Sequence, residues 1–201
     1  MHKGRLEAFS DGVLAIIITI MVLDLKTPHE TELESLYYLA PTFFSYVLSF
    51  LYVGIYWNNH HHLLQVSRRV NGSILWANLH VLFWLSLIPF MTGWMGATNF
   101  GWQPVLGYGI VLLMSNIAYS ILVAALKAHH SPDSPLALAV KDNRKQNVSL
   151  FLNAAALPLD FVHPAISLAL YIVIALIWLV PDRRMEKVCS EHGSATSSGH
   201  A

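Results

Sequence analysis

Long apolar runs recur along this sequence, and they limit the possible folds more than any other feature. The run at positions 9–26, FSDGVLAIIITIMVLDLK, is long enough to cross a bilayer if the turn before it is also helical. Charged residues make up 12% of the chain, about half of the roughly 25% found in soluble domains. The sequence therefore predicts an all-α, polytopic membrane protein.

Length and hydrophobicity predict six transmembrane helices, at about 6–25, 36–57, 74–94, 105–126, 148–159 and 165–180. The last two share one apolar run, in which Pro158, Asp160, His163 and Pro164 predict a tight turn. Pro89 predicts a kink in the third span. Five spans with one long tilted helix is the alternative. We assign residues 1–187 to the membrane domain and expect the polar tail, 188–201, to be disordered.

The basic residues predict the orientation of the six spans. Eleven of the twelve lysines and arginines fall on one side of the membrane, and Lys26 alone falls on the other. The positive-inside rule then places both termini in the cytoplasm and the 27–34 segment outside. That segment and the end of the first span carry acidic residues near the outer mouth: Asp24, Glu30, Glu32 and Glu34.

Helical spacing divides the first span into faces. At about 100° per residue, one stripe contains Arg5, Phe9, Gly12, Ile16, Ile20 and Leu23, with Thr19 on its edge. If copies of the helix met around an axis, this stripe would form a narrow apolar constriction; otherwise it is ordinary packing surface. Ser10 and Asp11 point away from the stripe. A carboxylate leading a membrane span suggests function, although Asp11 could instead cap the helix at the interface.

Polar residues on the second and third spans are candidate partners for Ser10 and Asp11. The third span places three such residues near the inner interface: Trp76, Asn78 and His80. His60, His61 and His62 end the second span, and one of them could pair with Asp11. Adjacent helical residues diverge, so these histidines do not predict a metal site. Interfacial hydrogen bonding is the simpler interpretation.

Other sequence features exclude functions more than they indicate them. The formal net charge of zero offers no basic face for nucleic acid. We find no nucleophile elbow, P-loop or dinucleotide fingerprint, so neither an enzyme nor a cofactor is expected. Gly107-Tyr108-Gly109 superficially matches a carbonyl filter. Its place near the start of a full span indicates small residues for helix packing instead.

Motifs in three parts of the chain resemble those of the transmembrane protein 175 family of potassium channels. The first is R-x-x-x-F-S-D-G with V-L-A-I-I-I-T, which begins at Arg5. The others are W-A-N-L with S-L-I-P-F in the third span, and W-L-V-P-D-R-R after the sixth. The resemblance implies a prokaryotic membrane protein with six helices per subunit and four identical subunits around one pore.

The resemblance also implies a role for each candidate residue. Potassium and other monovalent cations would pass a constriction lined by Ile16, Thr19, Ile20 and Leu23. A scaffold that holds the first helix would comprise Arg5, Phe9, Ser10 and Asp11, supported by Trp76, Asn78 and His80. The main alternative is a secondary ion or proton-coupled transporter that uses Asp11. A membrane metalloenzyme that uses the histidines is a third possibility.

Overall fold

The computed structural model describes residues 3–27, 34–67, 70–129, 131, 134, 136–137 and 143–179. The predicted tail at 188–201 lies outside these residues. The described part is helical, with seven helices that we number in chain order: α1 (Lys3–Leu23), α2 (Glu34–Gln65), α3 (Gly72–Ser86), α4 (Ile88–Ala97), α5 (Trp102–Ala128), α6 (Arg144–Asp160) and α7 (Pro164–Leu179).

Within the part of the chain that the structure describes, four stretches are long and apolar enough to cross a membrane, and they correspond to the first four predicted spans. They are Lys3–Leu23, Leu36–Gln65, Gly72–Ala97 and Trp102–Ala128, with Pro164–Leu179 as a shorter apolar helix. The third stretch contains both α3 and α4. The seven helices therefore make six segments, in agreement with the predicted six-span, all-α membrane fold.

Prolines mark both sharp changes of direction that the sequence predicts. Leu87 separates α3 from α4, and Pro89 lies in the first turn of α4, where its missing N–H costs nothing. The kink predicted at Pro89 therefore coincides with an interruption between two helices. The α6–α7 turn occupies residues 161–163, and Pro164 begins α7. Pro158, however, lies inside α6 and not in the turn.

The helices pack in two groups. α1 contacts α2, α3 and α4, whereas α5 contacts α3, α4, α6 and α7. α2 also packs against α4. Glycines allow close approach at the α2–α4 and α5–α7 boundaries. A Cβ on Gly96 would lie 2.6 Å from the Cα of Thr42 in α2, and one on Gly109 would collide with the Tyr171 hydroxyl. Gly107 and Gly109 are thus packing residues in a continuous helix, as predicted.

Candidate functional site

The first helix has two apolar faces, and the subunit covers only one of them. The covered face contains Leu6, Ser10, Leu14, Ile17 and Met21, each no more than 3% exposed. It packs against α2, α3 and α4. The other face includes Phe9, Ile16, Ile20 and Leu23, which are 51%, 58%, 47% and 80% exposed. The stripe proposed from spacing is therefore the face that the subunit leaves uncovered.

Neighbouring positions follow the same division. Ile17 is buried at 3% exposure, one residue from the exposed Ile16. Thr19 is exposed, and its hydroxyl donates to the Ile16 carbonyl at 2.9 Å. Val22 is 45% exposed and widens the uncovered face beyond the predicted stripe. Arg5 is also exposed at the start of the helix.

A buried hydrogen-bond chain joins three helices at the covered face of α1. The Ser10 hydroxyl donates to the Leu6 carbonyl at 2.9 Å and accepts from Asn78 Nδ2 at 3.0 Å. The Oδ1 atom of Asn78 then accepts from His60 Nε2 at 2.6 Å. All three polar side chains are at most 3% exposed. The Ser10–Asn78 bond joins α1 to α3, and the Asn78–His60 bond joins α3 to α2. These groups would be costly to leave unpaired.

Asp11 takes a different partner from Ser10. Its Oδ1 accepts from the indole N–H of Trp57 at 3.0 Å, and the Trp57 ring stacks on His61 with centroids 5.9 Å apart. Because consecutive helical residues diverge by about 100°, Ser10 reaches α3 while Asp11 reaches α2. Asp11 therefore pairs with the indole of Trp57 and not with a histidine, which was one of the hypotheses from the sequence. His60 pairs with Asn78 instead.

Trp76 and His80 lie apart from the Ser10–Asn78–His60 chain, which corrects their assignment as its supporting residues. Trp76 is 75% exposed, and His80 Nε2 accepts from Trp84 within α3 at 3.0 Å. Positions 76 and 80 share one face of a helix, and position 78 lies about 160° away. Only Asn78 can therefore face α1.

Trp57 was missed from the sequence, and the partner of His60 was not identified. His60 and Trp57 hold α1 in place, whereas the run of histidines predicted either interfacial hydrogen bonding or a pairing with Asp11. Lys3 is a third contact, since its ammonium donates to the Gln65 carbonyl at 2.9 Å and pairs with Glu7 at 3.5 Å. The usable signal is depth: the start of α1 and the end of α2 both lie on the predicted inner side.

At the other end of α1, Asp24 is exposed, and its carboxylate lies beside Gly93 of α4. A Cβ on Gly93 would lie 2.9 Å from its Oδ2. A cavity beside it is lined partly by Lys26, Phe90 and Trp94. Glu34 begins α2, but its side chain is outside the described residues, as are Glu30 and Glu32 entirely.

The histidines do not form a metal centre within the described part of the chain. No group of three or more histidine, cysteine, aspartate or glutamate side chains there could hold a metal ion. His60 is bound to Asn78, and His61 lies between Trp57 and His62. Their contacts are those of packing and hydrogen bonding.

The fold and the uncovered helix face define a polytopic helical membrane protein. A family model, endosomal/lysosomal potassium channel TMEM175, matches residues 5–89. A potassium channel of Chryseobacterium sp. (strain P1-3) is 52% identical over 192 residues, which cover 96% of this chain and 100% of the relative. The chain belongs to the TMEM175 family of potassium channels.

A solved structure and vertebrate relatives extend the comparison. The crystal structure of a lysosomal potassium-selective channel TMEM175 homolog from Chamaesiphon minutus aligns with a TM-score of 0.75 and 26% identity. The alignment covers 89% of this chain and 96% of that one. An endosomal/lysosomal proton channel TMEM175 of Gallus gallus is 37% identical over 101 residues, or 44% of this chain and 20% of the relative.

Proposed function

We propose that four copies of this chain form a potassium-preferring cation channel whose pore is lined by the uncovered face of α1. The observation that carries the proposal is the division of α1 into a covered and an uncovered apolar face. A helix that packs within the subunit through one face alone leaves its other face for neighbouring copies or for lipid. Because the chain belongs to a family of channels, a pore is favoured over lipid as the surroundings of this uncovered face.

The spacing of the uncovered residues favours a hydrophobic gate. Ile16, Ile20 and Leu23 recur at i, i+4 and i+7, so four copies would stack apolar rings along one axis. Such rings offer an ion no ligands, and a narrow one closes by dewetting. Thr19 would be the one polar group beside them, with hydroxyl oxygen lone pairs still able to accept.

Selectivity in this pore would depend on dehydration. A ring slightly wider than a dehydrated ion strips part of its water, and removing water costs more for sodium than for potassium. The width of the rings depends on where α1 is held. The contacts of Ser10 and Asp11 with α2 and α3 therefore serve as a scaffold for the pore, and no ion needs to bind them.

The placement of charges supports one orientation of the channel in the cell membrane of a prokaryote, with both termini in the cytoplasm. With both termini cytoplasmic, Asp24, Glu30, Glu32 and Glu34 would surround an outer entrance. Four copies of such acidic residues would raise the local cation concentration. Labelling a Glu32→Cys variant with an impermeant reagent tests the orientation, since reaction from the cytoplasmic side alone would reverse it.

The decisive experiment is a bilayer recording of the purified, reconstituted protein under bi-ionic potassium and sodium conditions. We expect unitary currents that reverse toward the potassium equilibrium potential. Saturating flux at low turnover, coupled to an ion gradient, would instead identify the transporter that uses Asp11. Cross-linking of the reconstituted protein should give a tetramer.

Protons are a second candidate permeant ion, because the vertebrate relatives are named proton channels. A proton gradient imposed without a potassium gradient would measure this conductance directly. A shift of the reversal potential with pH would place protons among the permeant ions, and a reversal potential that follows only potassium would exclude them.

A further inference from the structure

The buried polar atoms that lack a hydrogen-bond partner in the described residues gather on the side of the subunit away from α1. They belong to Ser115 on α5, Asn153 and Asp160 on α6, and Tyr171 on α7. Buried polar groups in proteins are normally paired with protein or ordered water. A cluster of unpaired ones between three packed helices therefore indicates bound molecules.

The buried face of α6 is unusually polar for a membrane helix. Its buried residues are Ser149, Asn153, Ala156 and Asp160, which repeat at helical spacing along one side. Asp160 and Asn153 are 1% and 2% exposed. A polar stripe facing the interior, with apolar residues outside, is typical of membrane segments that enclose water or a substrate.

A cavity of about 30 Å³ lies beside the middle of this stripe. That volume has room for one or two water molecules. Its polar lining includes Asn59, Asn116, Tyr119, Gln146 and Asn153. Gln146 donates to Asn116 Oδ1 and to the Ser120 hydroxyl, each at 2.8 Å, whereas Asn153 Oδ1 has no protein donor. Asn153 is thus an open acceptor at the wall of a cavity of suitable size.

Tyr171 is the buried polar residue that α7 contributes to this region. Helical side chains tilt toward the N-terminus of their helix, so Tyr171 on α7 extends toward the turn that follows Asp160. The Tyr171 ring is fully buried, 5.9 Å from the ring of Tyr108 on α5, and its hydroxyl has no protein partner. Tyr171 is thus a second buried polar group without a protein hydrogen-bond partner on this side of the subunit.

Among the described residues, no lysine or arginine pairs with Asp160 to stabilise an ionised form. Both carboxyl oxygens are buried and unpaired, and Arg144 and Lys145 begin the same helix about 23 Å away along its axis. The titratable groups on its side are Tyr171 from α7, with Tyr108 from α5 behind it, and His163 in the turn. The exposed His163 accepts from the Ala165 N–H at 3.2 Å through its Nδ1.

We propose that each subunit carries a proton-binding site between α5, α6 and α7, in which the buried Asp160 is a neutral carboxylic acid beside the Tyr171 hydroxyl. The cavity next to Asn153 is lined by neither Asp160 nor Tyr171, so the site does not depend on water held there. A buried carboxyl group without a cation takes up a proton in preference to remaining charged. The site lies on the opposite side of the subunit from the α1 stripe, so it does not depend on the proposed pore.

Infrared spectroscopy of the full-length protein in vesicles at neutral pH tests this site. We expect the carbonyl band of a protonated acid, which shifts in D₂O and is lost in Asp160→Asn. Asp24→Asn is the matched control, because it removes an exposed acid and should leave the band intact. Tyr171→Phe should shift the band without removing it, since one hydrogen-bonding group is lost.

Two results would overturn the proposal. One is a spectrum in which Asp160→Asn removes no protonated-acid band. The other is a carboxylate band from Asp160 that changes between potassium and sodium, which would identify a metal-cation site. If Asp160→Asn does not fold, Tyr171→Phe decides alone, because an unchanged band would show that the protonated acid does not lie beside Tyr171.

Discussion

Asn78 on α3 donates a hydrogen bond to Ser10 on α1 at 3.0 Å, and its other amide atom accepts from His60 on α2. One side chain therefore fixes three helices at a single depth. Ser10 both accepts and donates in this arrangement, because its own proton goes to the Leu6 carbonyl. The uncovered face of α1 is held in place from behind by these bonds.

Removing the Asn78 amide should destabilise the subunit without altering ion preference. Asn78→Ala removes the amide that donates to Ser10 and the acceptor of His60 Nε2, which costs on the order of 1–3 kcal/mol. Thermal unfolding of the reconstituted protein measures this loss. Trp76→Leu is the control on the same helix, because Trp76 is exposed and should tolerate the change. Normal stability with altered potassium preference in Asn78→Ala would assign Asn78 to the ion path.

The contact between Asp11 and Trp57 should also contribute to stability. Trp57→Phe keeps an aromatic ring but removes the N–H donor, and hydrogen bonds to a charged acceptor contribute about 1.5–3 kcal/mol. We expect Asp11→Ala and Trp57→Phe to weaken tetramer assembly, and the double variant to lose less than the sum of the two. Additive losses would mean that the two side chains act separately. A stable Asp11→Ala tetramer with changed selectivity would point to direct ion contact.

Glycine at position 96 should be required for α2 and α4 to pack. The Cβ of Gly96→Ala would meet the Cα of Thr42 at 2.6 Å, and backbone cannot move away cheaply. We expect loss of folded protein on size-exclusion chromatography. Gly54→Ala is the matched control, since nothing lies within 4 Å of its added Cβ, and alanine favours a helix by up to about 1 kcal/mol. Equal yields of both variants would contradict the close approach of α2 and α4.

Much of the fold could be predicted from the sequence because membrane spans carry strong local signals. Apolar runs of sufficient length, Pro89 and the Pro158–Pro164 region located six segments and both breaks. Helical spacing also separated Ile16 from Ile17 correctly, because a period of 3.6 residues is a property of the helix alone. These inferences require no knowledge of which helices touch.

The partners of Ser10 and Asp11 could not be predicted in the same way. They depend on how α2 and α3 rotate against α1, and depth alone leaves several polar residues equally close. Spacing could still have excluded Trp76 and His80, which face away from Asn78. The polar interior of α6 was missed because its residues were considered only as markers of a turn.

Neutralising the outer acidic residues should lower inward conductance at low salt. Asp24 lies at the end of α1, and the glutamates of the 27–34 segment follow it in the chain. At about 0.01 M salt the Debye length is about 30 Å, so four sets of acidic charges would attract cations over the whole entrance. We expect Asp24→Asn combined with Glu34→Gln to reduce single-channel conductance at low salt and to match the unmodified channel at high salt.

If the outer acidic residues lie away from the entrance, neutralising them should not change the conductance. Equal conductance of the two channels at every salt concentration would place these residues far from the ion path. Glu7→Gln is a suitable control, because Glu7 pairs with Lys3 at the other end of α1. The conductance of Glu7→Gln should match that of the unmodified channel at every salt concentration.

Shortening Ile16 should open the constriction, whereas shortening Ile17 should affect packing. Ile16 is 58% exposed in the subunit and Ile17 is 3% exposed. Ile16→Ala would remove carbon atoms from all four positions of one apolar ring, which should raise basal conductance and weaken the preference for potassium. Ile17→Val should leave a small cavity and cost about 0.5–1.5 kcal/mol of stability with normal permeation. Bi-ionic recordings and thermal unfolding of both variants separate these effects.

Cysteine scanning along α1 provides the outcome that would refute this pore. In the open channel, water-soluble thiol reagents should modify positions 16, 20 and 23 and spare positions 17 and 18, with the period of a helix. The only native cysteine, Cys189, lies in the tail and can be replaced beforehand. If modification shows no helical period, or if Ile16→Ala conducts and selects as before, then α1 does not line the ion path. The uncovered face would then be a surface for lipid, because a buried scaffold behind it does not by itself require a pore in front.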